Sequence, residues 1–318
     1  MASGQERILR RRIRGIESTK KITRAMELIS ASQIVRAQQR ISQSRPYVEE
    51  MNETLWITAE DATEPTRLLG VPQDAGRVLV VAVVSDRGLC GAYNVNVLRT
   101  AERRMREGQD AGREYTLVTV GKKAQSFFRF RNRAIDRSFE KMTERPTFED
   151  ARRVAREVTE PFMNGDVDLV EVVSTRFRSA GVQTVEVRQL LPLVPPEERQ
   201  GEDAAEPTPT GGFYDFEPRS DDLLVFLAPL VVEAALFLAL LEASASEHTA
   251  RQRAMSAATE NANELGKTLR REMNRVRQEA ITTEILEIAS GAEALRNAAS
   301  VSHGFDLDSI NDYEERNA

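Results

Sequence analysis

Residues 78–84 read Val-Leu-Val-Val-Ala-Val-Val, an unbroken apolar run. A run rich in β-branched residues without polar alternation is typical of a strand that is buried on both faces, as in a parallel sheet. Residues 115–120 form a second run of this kind. Two further strand patterns, 168–174 and 184–190, flank Ser179-Ala-Gly181 and predict a hairpin.

Helical patterns separate these strands at residues 94–107, 122–130 and 148–162. Strands that alternate with helices predict a doubly wound, Rossmann-like α/β domain with a mainly parallel sheet, and we place it at residues 77–194. The loop after the first strand, residues 85–94, has two glycines but neither the dinucleotide fingerprint nor the phosphate-binding loop of nucleotide enzymes. We therefore interpret both glycines as turn residues and expect no cofactor.

Three polar residues of that loop could carry chemistry. Cys90 would need a nearby base to act as a nucleophile, and both histidines, His248 and His303, are distant in the sequence. We predict a semi-buried thiol at Cys90, and turn capping with an ion pair at Asp86 and Arg87. One Cys and two His also exclude an internal disulfide, a cysteine zinc site and the common histidine metal sites.

Outside the α/β domain, both ends of the chain have the pattern of long helices. Residues 1–60 contain one proline, Pro46, which is expected to kink the helix, and apolar residues recur there at spacings of three to five. A helix of roughly 50 residues extends about 75 Å, more than an ordinary domain helix. The predicted apolar stripe consists of Ile22, Met26, Ile29, Ile34, Ala37 and Ile41.

Residues 223–296 predict a second long helix with the heptad spacing of a coiled coil. Its predicted seam is Met255, Ala258, Ala262, Leu265, Leu269, Val276 and Ala280, and it then shifts to Ile281, Ile285 and Ile288. Helices of this length fray without a partner. We therefore predict that the two terminal helices pair as an antiparallel coiled coil.

The start of the second helix, Leu223–Leu241, is nearly long and apolar enough to span a membrane. Acidic residues flank it where Lys or Arg would anchor a span, and Glu233 would lie in the hydrocarbon. We favour a buried helix that starts at Pro229, because proline suits the first turn.

Charge is unevenly distributed along the chain. The 318 residues have a formal net charge of −6, whereas residues 1–47 hold 11 basic and 3 acidic side chains, a net charge of +8. The linker 195–222 and the tail 297–318 are acidic, and we expect the tail to be disordered. Such asymmetry marks a partner-binding segment, and the basic end could bind nucleic acid, an anionic membrane or an acidic protein cavity.

Four short segments occur in a distinctive order. They are Lys20-Lys-Ile-Thr-Arg-Ala-Met-Glu-Leu28, Ser85-Asp-Arg-Gly-Leu-Cys-Gly-Ala-Tyr-Asn94, Ser246-Glu-His-Thr-Ala-Arg251 and Arg277-Gln-Glu-Ala-Ile-Thr282. Together they resemble the gamma subunit family of F-type ATP synthases, and the similarity extends from about Arg7 to Leu295. The family's fold is an antiparallel coiled coil with an α/β domain at its base, which agrees with the patterns above.

The resemblance implies the central rotary shaft of a proton-translocating ATP synthase. The coiled coil would stand in a hexamer of alpha and beta subunits, and the base would contact the membrane ring of c subunits and bind epsilon. Ring rotation would turn the shaft, cycle the catalytic beta subunits through open and closed states, and regulate ATPase activity and proton flow. The resemblance also implies no catalytic residue here, no transit peptide, and a peripheral site on the cytoplasmic side of a bacterial plasma membrane.

The resemblance further implies which residues contact partners. Those that match the segment facing the lower beta subunits are Lys20, Lys21, Arg24 and Met26. Those that match the C-terminal segment near the bearing are Asn274, Arg277, Gln278 and Thr282. Arg251 and Glu284, from the matching segments of the same helix, are also expected to contact a partner. Those that match the foot near the ring and epsilon are Tyr214 and Glu217.

Two departures from the family and two alternative functions accompany this reading. The chain continues for 23 residues after Leu295, where the family usually ends, and Leu230–Phe237 is more apolar than usual. The alternatives are a nucleotide-dependent α/β enzyme with helical arms, and a protein whose basic arm binds nucleic acid or a membrane surface.

Overall fold

A computed structural model describes residues 2–63, 66–70, 75–195 and 216–302. They form two compact units. The two-helix unit comprises residues 2–23 and 258–302, and the α/β unit comprises residues 24–257. Most of the acidic linker and the tail beyond Ser302 lie outside the described residues.

Across these residues the chain forms five helices and five strands. The helices are α1 (Ala2–Asp61), α2 (Tyr93–Asp110), α3 (Lys122–Phe130), α4 (Phe148–Asn164) and α5 (Ser220–Ser302). The strands are β1 (Arg77–Val83), β2 (Glu114–Val120), β3 (Arg137–Phe139), β4 (Leu169–Phe177) and β5 (Gln183–Leu191). Both α1 and α5 contribute residues to both units.

The strands form one sheet in the order β3-β2-β1-β4-β5. Strand β1 pairs in parallel with β2 and β4, β2 pairs in parallel with β3, and β4 and β5 form the antiparallel hairpin. The predicted α/β class is therefore confirmed. Strand β3 was not predicted, because its three residues, Arg-Ser-Phe, are too few to show a period and none is fully buried.

Alternate residues of β1 face opposite sides of the sheet, and both sides are buried. Leu79 and Val81 pack in a cluster with α4 and the first part of α5. Val78 and Val80 pack in a second cluster with α2 and α3. All four side chains are at most 1% exposed. Burial on both faces explains why the sequence of this strand has no polar alternation.

Helix α5 begins at Ser220, so the prediction that Pro229 opens this helix is wrong. A proline inside a helix removes the hydrogen bond to the carbonyl four residues earlier. For Pro229 that carbonyl belongs to Val225, and for Pro46 of α1 it belongs to Ser42. Both of these residues are exposed, so water can bind the released carbonyls and both helices continue.

Within the described residues, α5 is the one helix that could cross a membrane by length and composition alone. In this fold one face of its apolar part is packed against protein, whereas Val225 and Phe226 are exposed. Leu224, Val232, Leu236 and Leu240 are at most 1% exposed and belong to the cluster on the α4 side of the sheet. Every residue from 239 to 249 is buried. Packing against the sheet thus accounts for the buried side chains of the apolar run, as the buried-helix interpretation expects.

In the two-helix unit, α1 and α5 run antiparallel. Ile16 is the side chain nearest to Gly266, 3.9 Å from where a Cβ would lie there. Further along α1, the Oγ1 atoms of Thr23 and Thr259 lie 2.8 Å apart. A rising residue number on one helix therefore meets a falling number on the other. The apolar cluster of this unit consists of Leu9, Ile13, Leu269 and Val276.

Parts of the predicted apolar stripes are wrong by one position. Ile22 is 58% exposed, and the neighbouring Thr23 faces α5 instead. Leu265 is 51% exposed, and Gly266 faces α1. In the α/β unit, Ile29 is likewise 60% exposed. The prediction assigned the seam to apolar side chains alone, whereas the seam also contains a glycine and a hydrogen-bonded threonine.

Ile13→Ala should destabilise the two-helix unit, because this side chain is 7% exposed and lies in the apolar cluster. Truncation of a buried Ile costs about 2–5 kcal/mol. Ile22→Ala is the matched control, and at its exposed position it should change stability by less than about 0.5 kcal/mol. Urea unfolding followed by circular dichroism measures both variants. Equal losses at the two positions would contradict the seam described here.

Candidate partner-contact surfaces

The four predicted contact residues of α1 are at least partly accessible. In the two-helix unit Lys20 is half-buried and Lys21 is exposed, and in the α/β unit Arg24 is exposed and Met26 is half-buried. Arg24 Nη1 donates to Glu27 Oε1 at 2.9 Å. An ion pair whose cation lies at the surface contributes little free energy, so a partner could compete for this guanidinium.

The predicted contact residues near the end of α5 all lie on the surface of the two-helix unit. Asn274, Arg277, Gln278, Thr282 and Glu284 are exposed. The Thr282 hydroxyl donates to the Gln278 carbonyl at 3.0 Å, within the helix. The long polar side chains of Arg277 and Gln278 can therefore reach a second protein.

Every residue from 281 to 297 is exposed. Ile281 is 45% exposed, Ile285 61% and Ile288 72%, so the prediction that they continue the seam is wrong. No described residue of α1 or any other element buries them. Apolar side chains clustered on an exposed helix mark a surface that another chain covers.

Arg251 is the exception among the predicted contact residues, because it is only 6% exposed. Its Nη2 donates to Glu247 Oε1 at 2.6 Å, and its Nε and Nη2 both lie 3.3 Å from the carbonyl of Gly88. Arg251 thus joins α5 to the loop after β1 inside the α/β unit. The prediction of a surface contact is corrected to a structural role.

The loop after β1 is held by its acidic residue. Asp86 accepts hydrogen bonds from the backbone N–H groups of Lys122, Lys141 and Thr143, and from the Thr143 hydroxyl. This agrees with the predicted capping role. Arg87 forms the expected ion pair with Glu144, at 3.3 Å.

Two further side chains of the loop are buried against the protein interior. The Cys90 thiol is buried and accepts from Asn94 Nδ2 at 3.1 Å. The Tyr93 hydroxyl donates to the Ala243 carbonyl of α5 at 3.1 Å. Together with the bond from Arg251 to the Gly88 carbonyl, this joins the loop motif to α5, about 150 residues away in the sequence.

Burial changes the protonation of the groups in this contact. Desolvation raises the pKa of Glu247 from 4.5 to about 7, and the neighbouring Arg251 only partly opposes this rise. Burial also raises the pKa of Tyr93 well above 10.0, and the carboxyl of Glu247 adds to the effect. Burial lowers the pKa of His248, whose ring lies 3.2 Å from the Glu144 carbonyl.

A second buried carboxyl of α5, Glu242, joins three elements. Its Oε1 accepts from Arg45 Nη2 of α1 at 3.1 Å, and its Oε2 accepts from Arg188 Nη1 of β5 at 3.2 Å. Desolvation raises the pKa of Glu242 above its usual value, and the neighbouring Arg188, Arg176 and Arg45 only partly oppose this rise. Neither Glu242 nor Glu247 was predicted. An available signal was the presence of two acids in a run of otherwise apolar and small residues.

The foot residues are only partly described. Glu217 is exposed, and Tyr214 lies outside the described residues. Within the described ranges, no group of three or more His, Cys, Asp or Glu residues is placed to hold a metal ion.

Glu247→Gln should change how stability depends on pH. Between about 4.5 and about 7, native Glu247 keeps a proton that the unfolded chain has lost, so its contribution falls as pH rises. Unfolding free energies measured by urea titration across this range should show a wild-type slope more negative than the variant's by up to about 1.4 kcal/mol per pH unit. Glu264→Gln, an exposed change on the same helix, should keep the wild-type slope. Identical slopes in wild type and Glu247→Gln would contradict the raised pKa.

Comparison with known proteins extends over nearly the whole chain. The family model described as ATP synthase matches residues 5–295. An ATP synthase gamma chain from Frankia casuarinae is 43% identical over 300 residues, covering 92% of this chain and 98% of that protein. One from Rubrobacter xylanophilus is 41% identical over 289 residues, covering 91% and 98%.

A solved structure shares the fold. A chain of the Euglena gracilis mitochondrial ATP synthase, in a structure of its OSCP, F1 and c-ring, superposes with a TM-score of 0.65. It is 20% identical, and the match covers 93% of this chain and 96% of that chain. The sequence identity to the bacterial proteins, supported by this common fold, shows that the chain belongs to the ATP synthase gamma chain family.

Proposed function

We propose that this chain is the central rotary shaft of a proton-translocating F-type ATP synthase. The observation that carries the proposal is the similarity to ATP synthase gamma chains, which extends through both long helices and the α/β unit. In this role the chain transmits torque, and the bond chemistry takes place on the beta subunits.

The exposed end of α5 supports a place inside the alpha and beta hexamer. Ile285 and Ile288 present apolar surface at helical spacing, and Arg277 and Gln278 present long hydrogen-bonding side chains beside it. An apolar surface gives a rotating helix contact without a fixed partner atom, since the hydrophobic effect is non-directional. Polar side chains with several rotamers can exchange hydrogen bonds from one subunit to the next.

The α/β unit supports the other half of the role, which is to grip the helices. The carboxylate of Glu242 bonds Arg45 on α1 and Arg188 on β5, and the Arg251 guanidinium bonds the loop after β1. A torque applied to α5 would therefore be resisted by the sheet as well as by the apolar core. We infer that the α/β unit and the exposed Glu217 face the ring of c subunits and epsilon.

The membrane-associated complex determines where the chain works. We propose a peripheral position on the cytoplasmic side of a bacterial plasma membrane. The relatives with about 40% identity support it, since Frankia casuarinae and Rubrobacter xylanophilus are bacteria.

Arg277→Ala combined with Gln278→Ala should reduce coupled ATP synthesis by at least severalfold, because both side chains are proposed to bear against the hexamer. Arg106→Ala with Gln109→Ala removes the same side-chain types from exposed positions of α2 and serves as the control. Proton-driven synthesis in membrane vesicles, normalised to the amount of assembled complex, measures the effect. Synthesis at the wild-type rate in the α5 variant would argue against the bearing role.

Co-expression with alpha and beta subunits should yield a complex with one copy of this chain per hexamer.

The double variant Ile285→Ser with Ile288→Ser should assemble less well with the hexamer, because the variant lacks apolar surface that the hexamer is proposed to cover. Val225→Ser with Phe226→Ser removes similar exposed apolar surface at the other end of α5 and should leave hexamer assembly intact. Native mass spectrometry measures the stoichiometry. A chain that stays monomeric and does not change ATPase activity would overturn the proposed function. Saturable nucleotide binding by the isolated chain would favour the α/β enzyme, and nucleic-acid binding that weakens steeply with salt would favour the basic-arm binding protein.

A further inference from the structure

A cleft of about 450 Å³ opens in the α/β unit at the carboxyl ends of β1 and β4. The sheet order β3-β2-β1-β4-β5 reverses between these two strands, since the chain leaves β1 for β2 on one side and later returns to β4 on the other. In open α/β sheets this reversal is where ligands bind. The cleft is lined by the loop after β1, the first turn of α2, the β4–β5 hairpin and α5.

Two hydroxyl groups in the cleft wall have unused hydrogen-bonding capacity. Ser246 of α5 is 1% exposed and Thr175 of β4 is 4% exposed. Neither Ser246 Oγ nor Thr175 Oγ1 has a hydrogen-bond partner among the described residues. Buried hydroxyls in folded proteins are almost always satisfied by protein, water or a ligand. Because both line the same cleft from different elements, one bound molecule could satisfy both.

The charge around the cleft favours an anion. Arg253 is the one charged residue among the described residues that line it, and no Asp or Glu lines it. One of the five guanidinium N–H groups of Arg253 donates to the Ala180 carbonyl, so others remain for a ligand. The N-cap residue Ala92 and the first turn of α2, with Tyr93 and Asn96, form another part of the wall. The amino end of a helix carries partial positive charge and binds anions.

We propose that this cleft binds a small oxyanion of the phosphate class. The hydroxyls of Ser246 and Thr175 donate to it, and Arg253 and the first turn of α2 balance its charge. An oxyanion fits these groups because it accepts several hydrogen bonds at once, whereas a cation would meet Arg253. The glycine-rich loops that hold dinucleotides are missing from this sequence, so the recognised group is the oxyanion itself.

Titration of the purified full-length chain with inorganic phosphate, followed by calorimetry and by thermal unfolding, tests the proposal. Saturable binding of one phosphate, with a rise in melting temperature that sodium chloride at equal ionic strength does not reproduce, is the expected result. Ser246→Ala with Thr175→Val should weaken binding at least tenfold. This variant replaces unpartnered hydroxyls with apolar groups, so it should fold, and circular dichroism checks that it does.

The matched control is Ser32→Ala with Thr268→Val, which removes the same hydroxyl types from exposed positions and should bind phosphate as the wild type does. ADP tested in the same way reports the source of the oxyanion. Tighter binding than phosphate with the same dependence on Ser246 and Thr175 would assign a phosphorylated compound, and weaker binding would assign the free ion. Absence of saturable binding, an equal effect of chloride, or undiminished binding by the Ser246 and Thr175 variant would overturn the proposal. None of these results bears on the shaft function, which is tested by assembly and coupling.

Discussion

The α/β unit depends on the complete burial of a stretch of α5 that carries two glutamates. Every residue from 239 to 249 is buried, and the run includes Glu242 and Glu247. A charge left unpaired in such a place would be strongly destabilising. Glu242 meets Arg45 and Arg188, and Glu247 meets Arg251. The Glu242 pairs join α5 to α1 and β5, and Arg251 joins it to the loop after β1 at the Gly88 carbonyl.

The buried part of α5 also covers much of the carboxyl end of the sheet, where α/β enzymes bind cofactors. Helix α5 lies against that end, with Arg251 at the Gly88 carbonyl and the Ala243 carbonyl accepting from Tyr93. The loop after β1 thus serves mainly to hold a helix. What remains of the crevice is the cleft beside Ser246.

Much of the fold could be predicted from sequence patterns, because buried strands and long helices have strong periodic signals. The runs that became β1 and β2 and the hairpin of β4 and β5 are examples. The predictions failed where contacts with distant parts of the chain, and not the local sequence pattern, stabilise the observed arrangement. Pro229 lies inside α5 because packing against the sheet outweighs one lost hydrogen bond, and Thr23 lies in the helix seam because Thr259 satisfies its hydroxyl. Of the candidate contacts, Arg277 and Gln278 lie on the surface as expected, whereas Arg251 does not.

The sequence by itself determined the α/β class, the two long terminal helices and, through four short segments, the family. Those properties depend on local periodicity and on residue order, which a single chain displays directly. Only the tertiary structure decided which residues face inward, since Ile22 and Thr23 are adjacent and a rotation of one residue exchanges them. It also decided that Arg251 is buried and that Ser246 and Thr175 share a cleft. Those facts depend on contacts between residues far apart in the chain, where no sequence period connects them.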